Sequence, residues 1–273
     1  MKIKSKLALA CVLMAASKVS HAGLISINVN HTGGLSESQV SIFDSAKDLW
    51  GSVLTGIQSS FDLTLNIAAS GADIDGRNGT LGQAGPTRAI IDSDLGFVYA
   101  SEGRMQFDTA DLNYMENNNT LFDVIVHEMA HVLGFGTLWD PASLSNVFAG
   151  TQSVYVDGSG QYTGAFALAE YRAEFDPDAL FIPVELDGGG GTVDAHWDEF
   201  WDGGSSDLMT GYLEGVTSLS RTTIASFADI GYTTIVTHPI ETDSINVPEP
   251  ATITLFGAGL IGVAGLRRRR NKS

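Results

Sequence analysis

Cysteine is nearly absent from this sequence, so the chain cannot form an internal disulfide. Cys11 is the single cysteine among 273 residues. It lies in an apolar run at residues 7–16, which follows three lysines and precedes a small-x-small cleavage site at residues 20–22. This arrangement predicts a secretory signal peptide at residues 1–22 and export of the mature chain. The alternative, a lipoprotein signal ending in "LALAC", is disfavoured because only four apolar residues precede the cysteine.

The mature chain must therefore be stabilised by core packing or by a bound metal ion. It is also poor in basic residues. Of the 15 Lys and Arg residues, four precede Gly23 and five follow Pro250, which leaves six against 32 Asp and Glu. Residues 23–250 thus carry a formal charge of −26. Nucleic acid and anionic membrane surfaces have the same sign of charge, so neither is expected as a partner of the mature chain.

The carboxyl terminus has three successive parts. "VPEP" at residues 247–250 is followed by an uncharged run at 251–266 and by four arginines at 267–270. Sixteen helical residues span about 24 Å, short of a hydrocarbon core of about 30 Å, but snorkelling arginines make a short membrane anchor feasible. The positive-inside rule then leaves residues 23–250 outside the membrane.

This ending resembles the PEP-CTERM sorting signal of Gram-negative bacteria. The resemblance implies recognition by a membrane sorting enzyme of the exosortase type, with transient anchoring through the helix at 251–273. It also implies delivery to the cell envelope or extracellular matrix. A permanent membrane anchor is the alternative interpretation.

Hydrophobic periodicity predicts interleaved strands and helices in the mature chain. Strands are expected at residues 24–30 and 61–68, with an amphipathic helix at 36–56 between them. A glycine-rich loop is predicted at 71–86, where Asp73 and Asp75 are candidate calcium ligands, with a solvated turn as the alternative. This order predicts an α+β fold with a mixed sheet. Residues 239–250 resemble a polar linker.

The segment "HEMAHVLG" at residues 127–134 predicts the end of a functional helix. We expect that helix to begin at Asn119 or Thr120 and to end at Gly134. Its buried residues are predicted to be Leu121, Val124, Ile125, Met129, Val132 and Leu133.

Two histidines four positions apart share one helix face, so His127 and His131 can hold one zinc ion. Glu128 is placed to reach a zinc-bound water without itself being a ligand. These residue types suit amide hydrolysis. Zinc activates the water and polarises the carbonyl, while the carboxylate takes up a proton and returns it to the leaving amine.

A third protein ligand is needed to complete such a site. In the extended pattern HExxHxxGxxH it follows the glycine by three residues, but this position holds Thr137, which cannot replace imidazole. The histidines of the mature chain are His31, His127, His131, His196 and His238. His196 follows four glycines and precedes Met209, whereas His238 adjoins a proline at the edge of the linker. His196 is therefore favoured, and His238 is the alternative.

The mature chain resembles the leishmanolysin-like metzincin metallopeptidases over roughly residues 80–232. The segments that carry the resemblance are "LGQAGPT", "MQFDTADL", "HEMAHVLGFGTLW", "GGGGTVDAHWDE", "DLMTGYL" and "LSRTTIASFADIGY". The resemblance implies that His127, His131 and His196 bind zinc, that Glu128 is the general base and that Met209 forms the Met-turn. It also implies an insertion of about 60 residues, at 135–195, before the third histidine.

The same resemblance implies a metzincin-like zincin fold for residues 23–238. A mixed, twisted sheet and the active-site helix belong to an N-terminal subdomain at about 23–134, and an irregular C-terminal subdomain follows at about 135–238. The edge strand of the sheet aligns the substrate backbone, and "GRMQFDT" at 103–109 is a candidate for it, with an interior strand as the alternative. Tyr212 follows Met209 by three residues rather than two, so we assign it no metal role.

Two functions from different classes are consistent with these features. The first is a secreted zinc-dependent endopeptidase that acts on protein or peptide substrates. The second is a noncatalytic envelope or matrix protein in which zinc only stabilises the fold. Glu128 favours the enzyme, because a structural zinc site does not need a general base. A mature chain without cysteine also cannot cap the zinc with a thiolate to stay latent.

Overall fold

The computed structural model describes residues 22–212 and 217–236. The predicted signal peptide before Ala22, the alternative ligand His238, the linker at 239–250 and the anchor at 251–273 lie outside these ranges. Within the described ranges, no helix combines the length and the apolar character that crossing a membrane requires.

The first half of the described chain alternates strands and helices, as the periodicity predicts. In chain order its elements are β1 (Ile25–His31), α1 (Glu37–Val53), β2 (Leu54–Ile57), β3 (Leu63–Ala72), β4 (Gly82–Asp92), β5 (Phe97–Asp108), α2 (Leu112–Asn117) and α3 (Leu121–Leu133). Four strands form one sheet in the order β1-β3-β5-β4. β3 is parallel to both β1 and β5, and β4 is antiparallel to β5. The predicted α+β content with a mixed sheet is confirmed.

Helix α1 begins with a capping box and packs against α3. The Ser36 hydroxyl accepts a hydrogen bond from the Gln39 N–H at 3.2 Å, and the Gln39 side chain accepts one from the Ser36 N–H at 2.9 Å. The indole of Trp50, fully buried, donates to the Val126 carbonyl of α3 at 3.1 Å. This bond fixes α1 against the middle of α3 and adds to the burial of the apolar faces.

Helix α3 has the ends and the buried face that the sequence predicts. Gly134 caps its carboxyl end with φ +121°, and its N–H donates to the Ala130 carbonyl at 3.0 Å. Thr120 occupies the N-cap position, although its hydroxyl donates to the Met115 carbonyl and accepts no capping bond from an α3 N–H. All six apolar residues predicted to be buried are buried: Leu121, Val124, Ile125, Met129, Val132 and Leu133.

The second half of the described chain has shorter elements. They are α4 (Pro141–Leu144), a 3-10 helix (Asn146–Phe148), β6 (Gln161–Tyr162), α5 (Ala165–Glu174), β7 (Ile182–Pro183), α6 (Arg221–Asp229) and β8 (Tyr232–Thr234). Packed aromatic rings stabilise this part, with Trp139 stacked on Trp197 at 5.1 Å and Tyr162 edge-on to Trp197 at 5.2 Å. β8 pairs with β2, so the end of the described chain is tied to its first half.

The sheet corrects one sequence prediction and decides between the two alternatives of another. The segment 71–86 is not a continuous loop, because β3 runs to Ala72 and β4 begins at Gly82. "GRMQFDT" lies in β5 except for Thr109, and β5 is between β3 and β4, so the interior alternative is correct and β4 is an edge strand. Glycine and proline suggested a loop, but an edge strand tolerates Pro86 because not every N–H of the strand needs a partner.

Candidate active site

The helix α3 presents two imidazoles on one face, one turn apart. The Nε2 atoms of His127 and His131 are 3.1 Å apart, as the spacing of four residues predicts. His196 arrives from 65 residues beyond His131 in the chain, and its Nε2 lies 3.0 Å from that of His131 and 3.1 Å from that of His127. Within residues 22–212 and 217–236, these three form the one group of side chains suited to holding a metal ion.

The other ring nitrogen of each histidine faces a backbone carbonyl. Nδ1 of His127 is 2.6 Å from the oxygen of Leu208, and Nδ1 of His131 is 3.0 Å from that of Phe135. Nδ1 of His196 is 3.0 Å from the oxygen of Thr192. A carbonyl oxygen only accepts, so we assign the ring hydrogen of each histidine to Nδ1. Each Nε2 therefore carries a lone pair.

Three Nε2 lone pairs directed at one point repel one another unless a cation lies between them. Ligands at about 2.0–2.1 Å from a tetrahedral zinc ion are about 3.3 Å apart, close to the spacing of 3.0–3.1 Å found here. Burial, together with the neighbouring imidazoles, holds the pKa of His131 well below its ordinary value and lowers that of His196 to about 3. Burial also lowers the pKa of His127. All three shifts favour the neutral ring, which is the form that binds metal, and the donor set fits zinc.

Glu128 lies beside this cluster, where α3 passes the edge strand β4. Its side chain is 7% exposed, and burial raises the pKa of the carboxyl to about 8. Gly82 of β4 leaves the room that the carboxyl occupies, because a Cβ at that position would lie 2.9 Å from Oε1 and Cγ of Glu128. The carboxyl is therefore held between α3 and β4.

A cleft of about 750 Å³ opens over the three histidines and Glu128. One wall is β4 at residues 82–84, and the opposite side comes from the glycines at 189–191 and the turn at 207–212. No lysine or arginine is among its described lining residues. The cleft is large enough for an extended peptide segment, and its wall at β4 is the edge of a sheet.

Met209 is fully buried in the turn at 207–212. Its N–H donates to the Asp207 carboxylate at 2.9 Å, and its carbonyl accepts from the N–H of Trp197 at 3.0 Å. The preceding residue, Leu208, supplies the carbonyl that faces His127. The turn therefore contacts both segments that carry the histidines.

The remaining candidate residues do not belong to the three-histidine cluster. His31 is on β1, with its ring against Phe43. The Thr137 hydroxyl donates to the His131 carbonyl at 2.6 Å. The Asp75 carboxylate accepts from the N–H and hydroxyl of Thr80, and in the described chain it does not join Asp73 in a metal-binding group. Nothing supports the candidate calcium site.

Sequence reasoning missed the three carbonyls that face the imidazoles. It also missed Asp207, which stands two residues before Met209 in the segment "DLMTGYL". A backbone carbonyl has no side-chain signature, so no pattern identifies it. An aspartate two residues before the methionine is visible in the sequence, but the Ser220 and Thr223 groups that donate to it lie further along the chain than Met209.

Comparison with known families gives two matches and one negative result. The sequence model of leishmanolysin matches residues 90–238, which include β5, α3 and all three clustered histidines. The model of the PEP-CTERM protein-sorting motif matches residues 246–270. The chain matches no curated protein.

Proposed function

The chain belongs to the leishmanolysin family of peptidases and ends in a PEP-CTERM sorting motif, and from this premise we propose that it is a secreted zinc-dependent endopeptidase. The observation that carries the proposal is the convergence of three neutral imidazoles in a cleft that also contains a buried carboxyl. We assign His127, His131 and His196 as the zinc ligands. Three protein ligands leave one position for water or substrate, as catalytic zinc sites do.

In the proposed mechanism, bound zinc supplies the Lewis acidity that activates a water molecule and polarises the scissile carbonyl. Glu128 takes the proton from the attacking water as the amide carbon is attacked, and then gives that proton to the leaving amine. Its burial suits the interval between the two steps, because a raised carboxyl pKa favours holding the proton until the amine accepts it. The three Nδ1–H···O=C bonds keep the imidazoles from turning as the charge changes.

The edge strand β4 is proposed to bind the substrate backbone by strand addition. It borders the cleft at residues 82–84 and pairs on its other side with β5, so the edge facing the cleft can take another strand. The substrate then lies extended between β4 and the turn at 207–212. We further assign Met209 to a Met-turn, the chain to the metzincins, and the peptidase domain to residues 23–238, divided near 134.

The sorting motif indicates export to the cell envelope and recognition by exosortase. We propose that residues 1–22 are the signal peptide and that residues 251–273 anchor the chain in the membrane until it is sorted. No cysteine of the mature chain can cap the zinc and keep the enzyme latent. Export is then what keeps the activity of the mature chain away from cytoplasmic proteins.

Digestion of casein or gelatin tests the proposal. The wild type should cleave both, a chelator should stop cleavage, and added zinc should restore it. Glu128→Gln should bind zinc with unchanged stoichiometry and lose about 100-fold to 10,000-fold in rate, because only the proton transfer is removed. A wild type that binds zinc but cleaves neither substrate would instead support the alternative of a noncatalytic surface or matrix protein with a structural zinc site.

A further inference from the structure

Asp207 is a buried carboxylate whose oxygens are surrounded by hydrogen-bond donors. Its side chain is 2% exposed. Oδ1 accepts from the Met209 N–H at 2.9 Å, and Oδ2 accepts from the Ser220 N–H at 3.2 Å. The hydroxyl of Thr223 is 2.9 Å from Oδ1 and 3.1 Å from Oδ2. One side chain therefore ties the turn at 207–212 to the start of α6.

The first connection from Asp207 leads to His127. Asp207 and Met209 flank Leu208, whose carbonyl accepts from Nδ1 of His127 at 2.6 Å. The Leu208 N–H donates to the Ser218 carbonyl at 2.7 Å. With the Met209 N–H also bonded, the peptide groups on both sides of Leu208 are held, and so is the direction of its carbonyl.

The second connection leads to His196 through a hydroxyl. Thr223 Oγ1 has one hydrogen, which it donates to Asp207, so its lone pairs are free to accept. The indole Nε1–H of Trp197 donates to that oxygen at 2.8 Å. Trp197 directly follows His196, and its own N–H donates to the Met209 carbonyl at 3.0 Å. The orientation of Trp197 is therefore set from two sides by groups that Asp207 holds.

The direction of these bonds depends on the carboxylate being an acceptor at both oxygens. The Met209 and Ser220 N–H groups can only donate, and the Thr223 hydroxyl donates as well. An amide at this position presents an NH₂ group to at least one of these donors, and that bond is lost. Asp207 lines the cleft, but its hydrogen bonds go to Met209, Ser220 and Thr223 and not to an imidazole, so its effect on the rings passes through Leu208 and Trp197.

We propose that Asp207 is a positioning residue that directs Nε2 of both His127 and His196 at the metal, through the Leu208 carbonyl and the Thr223–Trp197 bond. This inference rests on the proposed function, because it concerns the same zinc site. Hydrogen bonds from neighbouring groups orient metal ligands. When such bonds are disturbed, metal affinity typically falls by about 10-fold to 100-fold.

The test compares Asp207→Asn with Asp229→Asn in the full-length protein. Asp229 is a matched control: it is also buried, on α6, and its carboxylate accepts from two backbone N–H groups and one hydroxyl. Those donors belong to Phe166, Ala167 and Tyr162. Tyr162 also packs edge-on against Trp197, but the bonds that Asp229 accepts are not part of the Leu208 or Thr223–Trp197 connection. We expect both variants to unfold at a lower temperature than the wild type.

Zinc affinity, measured by competition with a chromogenic chelator, separates the two variants. Asp207→Asn should bind zinc about 10-fold to 100-fold more weakly, whereas Asp229→Asn should stay within about twofold of the wild type. The visible spectrum of the cobalt-substituted protein should change only in Asp207→Asn, because it reports ligand geometry. Equal zinc affinity in the two variants would overturn the proposal.

Thr223→Val and Thr223→Ser keep the test decisive if Asp207→Asn does not fold. Valine has a similar shape but removes the hydroxyl, so zinc affinity should fall, and serine restores the hydroxyl, so affinity should recover. Valine and serine variants with the same affinity would overturn the second connection. Cleavage by the wild type is a separate measurement: a wild type that binds zinc without cleaving rejects the proposed function and leaves this comparison valid. A wild type that binds no zinc overturns both.

Discussion

Gly136→Ala tests how the chain brings His196 back to α3 after its long excursion. Gly136 has φ +69°, which alanine adopts at a cost of about 1–2 kcal/mol. A Cβ at this position would lie 2.4 Å from the carbonyl oxygen of Ala195 and 2.7 Å from its Cα. Ordinary contact begins at 3.4 Å, so one of the two backbones must move by about 1 Å.

Ala195 directly precedes His196, so the displacement is passed to the third imidazole. The Nε2 atoms of the cluster are 3.0–3.1 Å apart, and a shift of about 1 Å is a large fraction of that spacing. We expect zinc affinity to fall by at least about 10-fold and kcat/KM by about 100-fold, the loss typical of a 1 Å misplacement. Chelator competition and peptide hydrolysis at saturating zinc measure the two effects.

Gly150→Ala is the matched control in the same inserted segment. Gly150 has φ +84°, and a Cβ there meets no other atom within 4 Å. This variant should lose about 1–2 kcal/mol of unfolding free energy and keep the zinc affinity of the wild type. If both alanine variants bind zinc equally, the contact between Gly136 and Ala195 does not position His196, and the reasoning fails.

His196→Ala should lose zinc because it removes one of three converging nitrogens, whereas His238→Ala should retain zinc. Metal content after dialysis distinguishes the two variants. Zinc retained by His196→Ala would reject the proposed site. Gly82→Ala should lower kcat/KM by about 10-fold at unchanged zinc affinity, because its Cβ displaces the carboxyl of Glu128. Gly85→Ala on the same strand, where a Cβ has no contact below 4.0 Å, should keep the kcat/KM of the wild type. Equal kcat/KM values in the two variants would contradict this role of Gly82. Burial raises the pKa of Asp229 to about 6, so the stability that its protonation contributes is complete below about pH 4 and is lost as the pH rises through 6. The unfolding free energy of the wild type minus that of Asp229→Asn should therefore fall by about 3 kcal/mol between pH 4 and pH 8. Denaturant titrations of both proteins measure this difference, and a difference that does not change with pH would refute the prediction.

Much of the first half of the fold could be predicted from the sequence, because its signals are local. Ser36 and the apolar spacing after it place α1 within a few residues of its observed ends. Strand β4 was missed because its glycines and proline are typical of loops, and only its pairing with β5 makes it a strand. That pairing depends on contacts between segments that no local pattern contains.

The candidate site also combines features that follow from local sequence with features that depend on contacts between distant segments. His127 and His131 face the same way in any helix that contains them, because 3.6 residues per turn places i and i+4 together. His196 was preferred from its glycine-rich surroundings and the limited number of histidines, but its approach to α3 required the contact of Ala195 with Gly136. The sequence left "GRMQFDT" open as an edge or an interior strand, because strand order is not encoded by the composition of one strand.

By itself, the sequence determined the helix, the spacing of its two imidazoles and the carboxyl beside them, since each follows from bonds within a few residues. Tertiary structure alone decided which nitrogen of the His127 ring carries the hydrogen. The carbonyl that faces His127 belongs to a residue 81 positions away. A hydrogen bond is satisfied by distance and direction in space, so its partner becomes known only when the chain has folded.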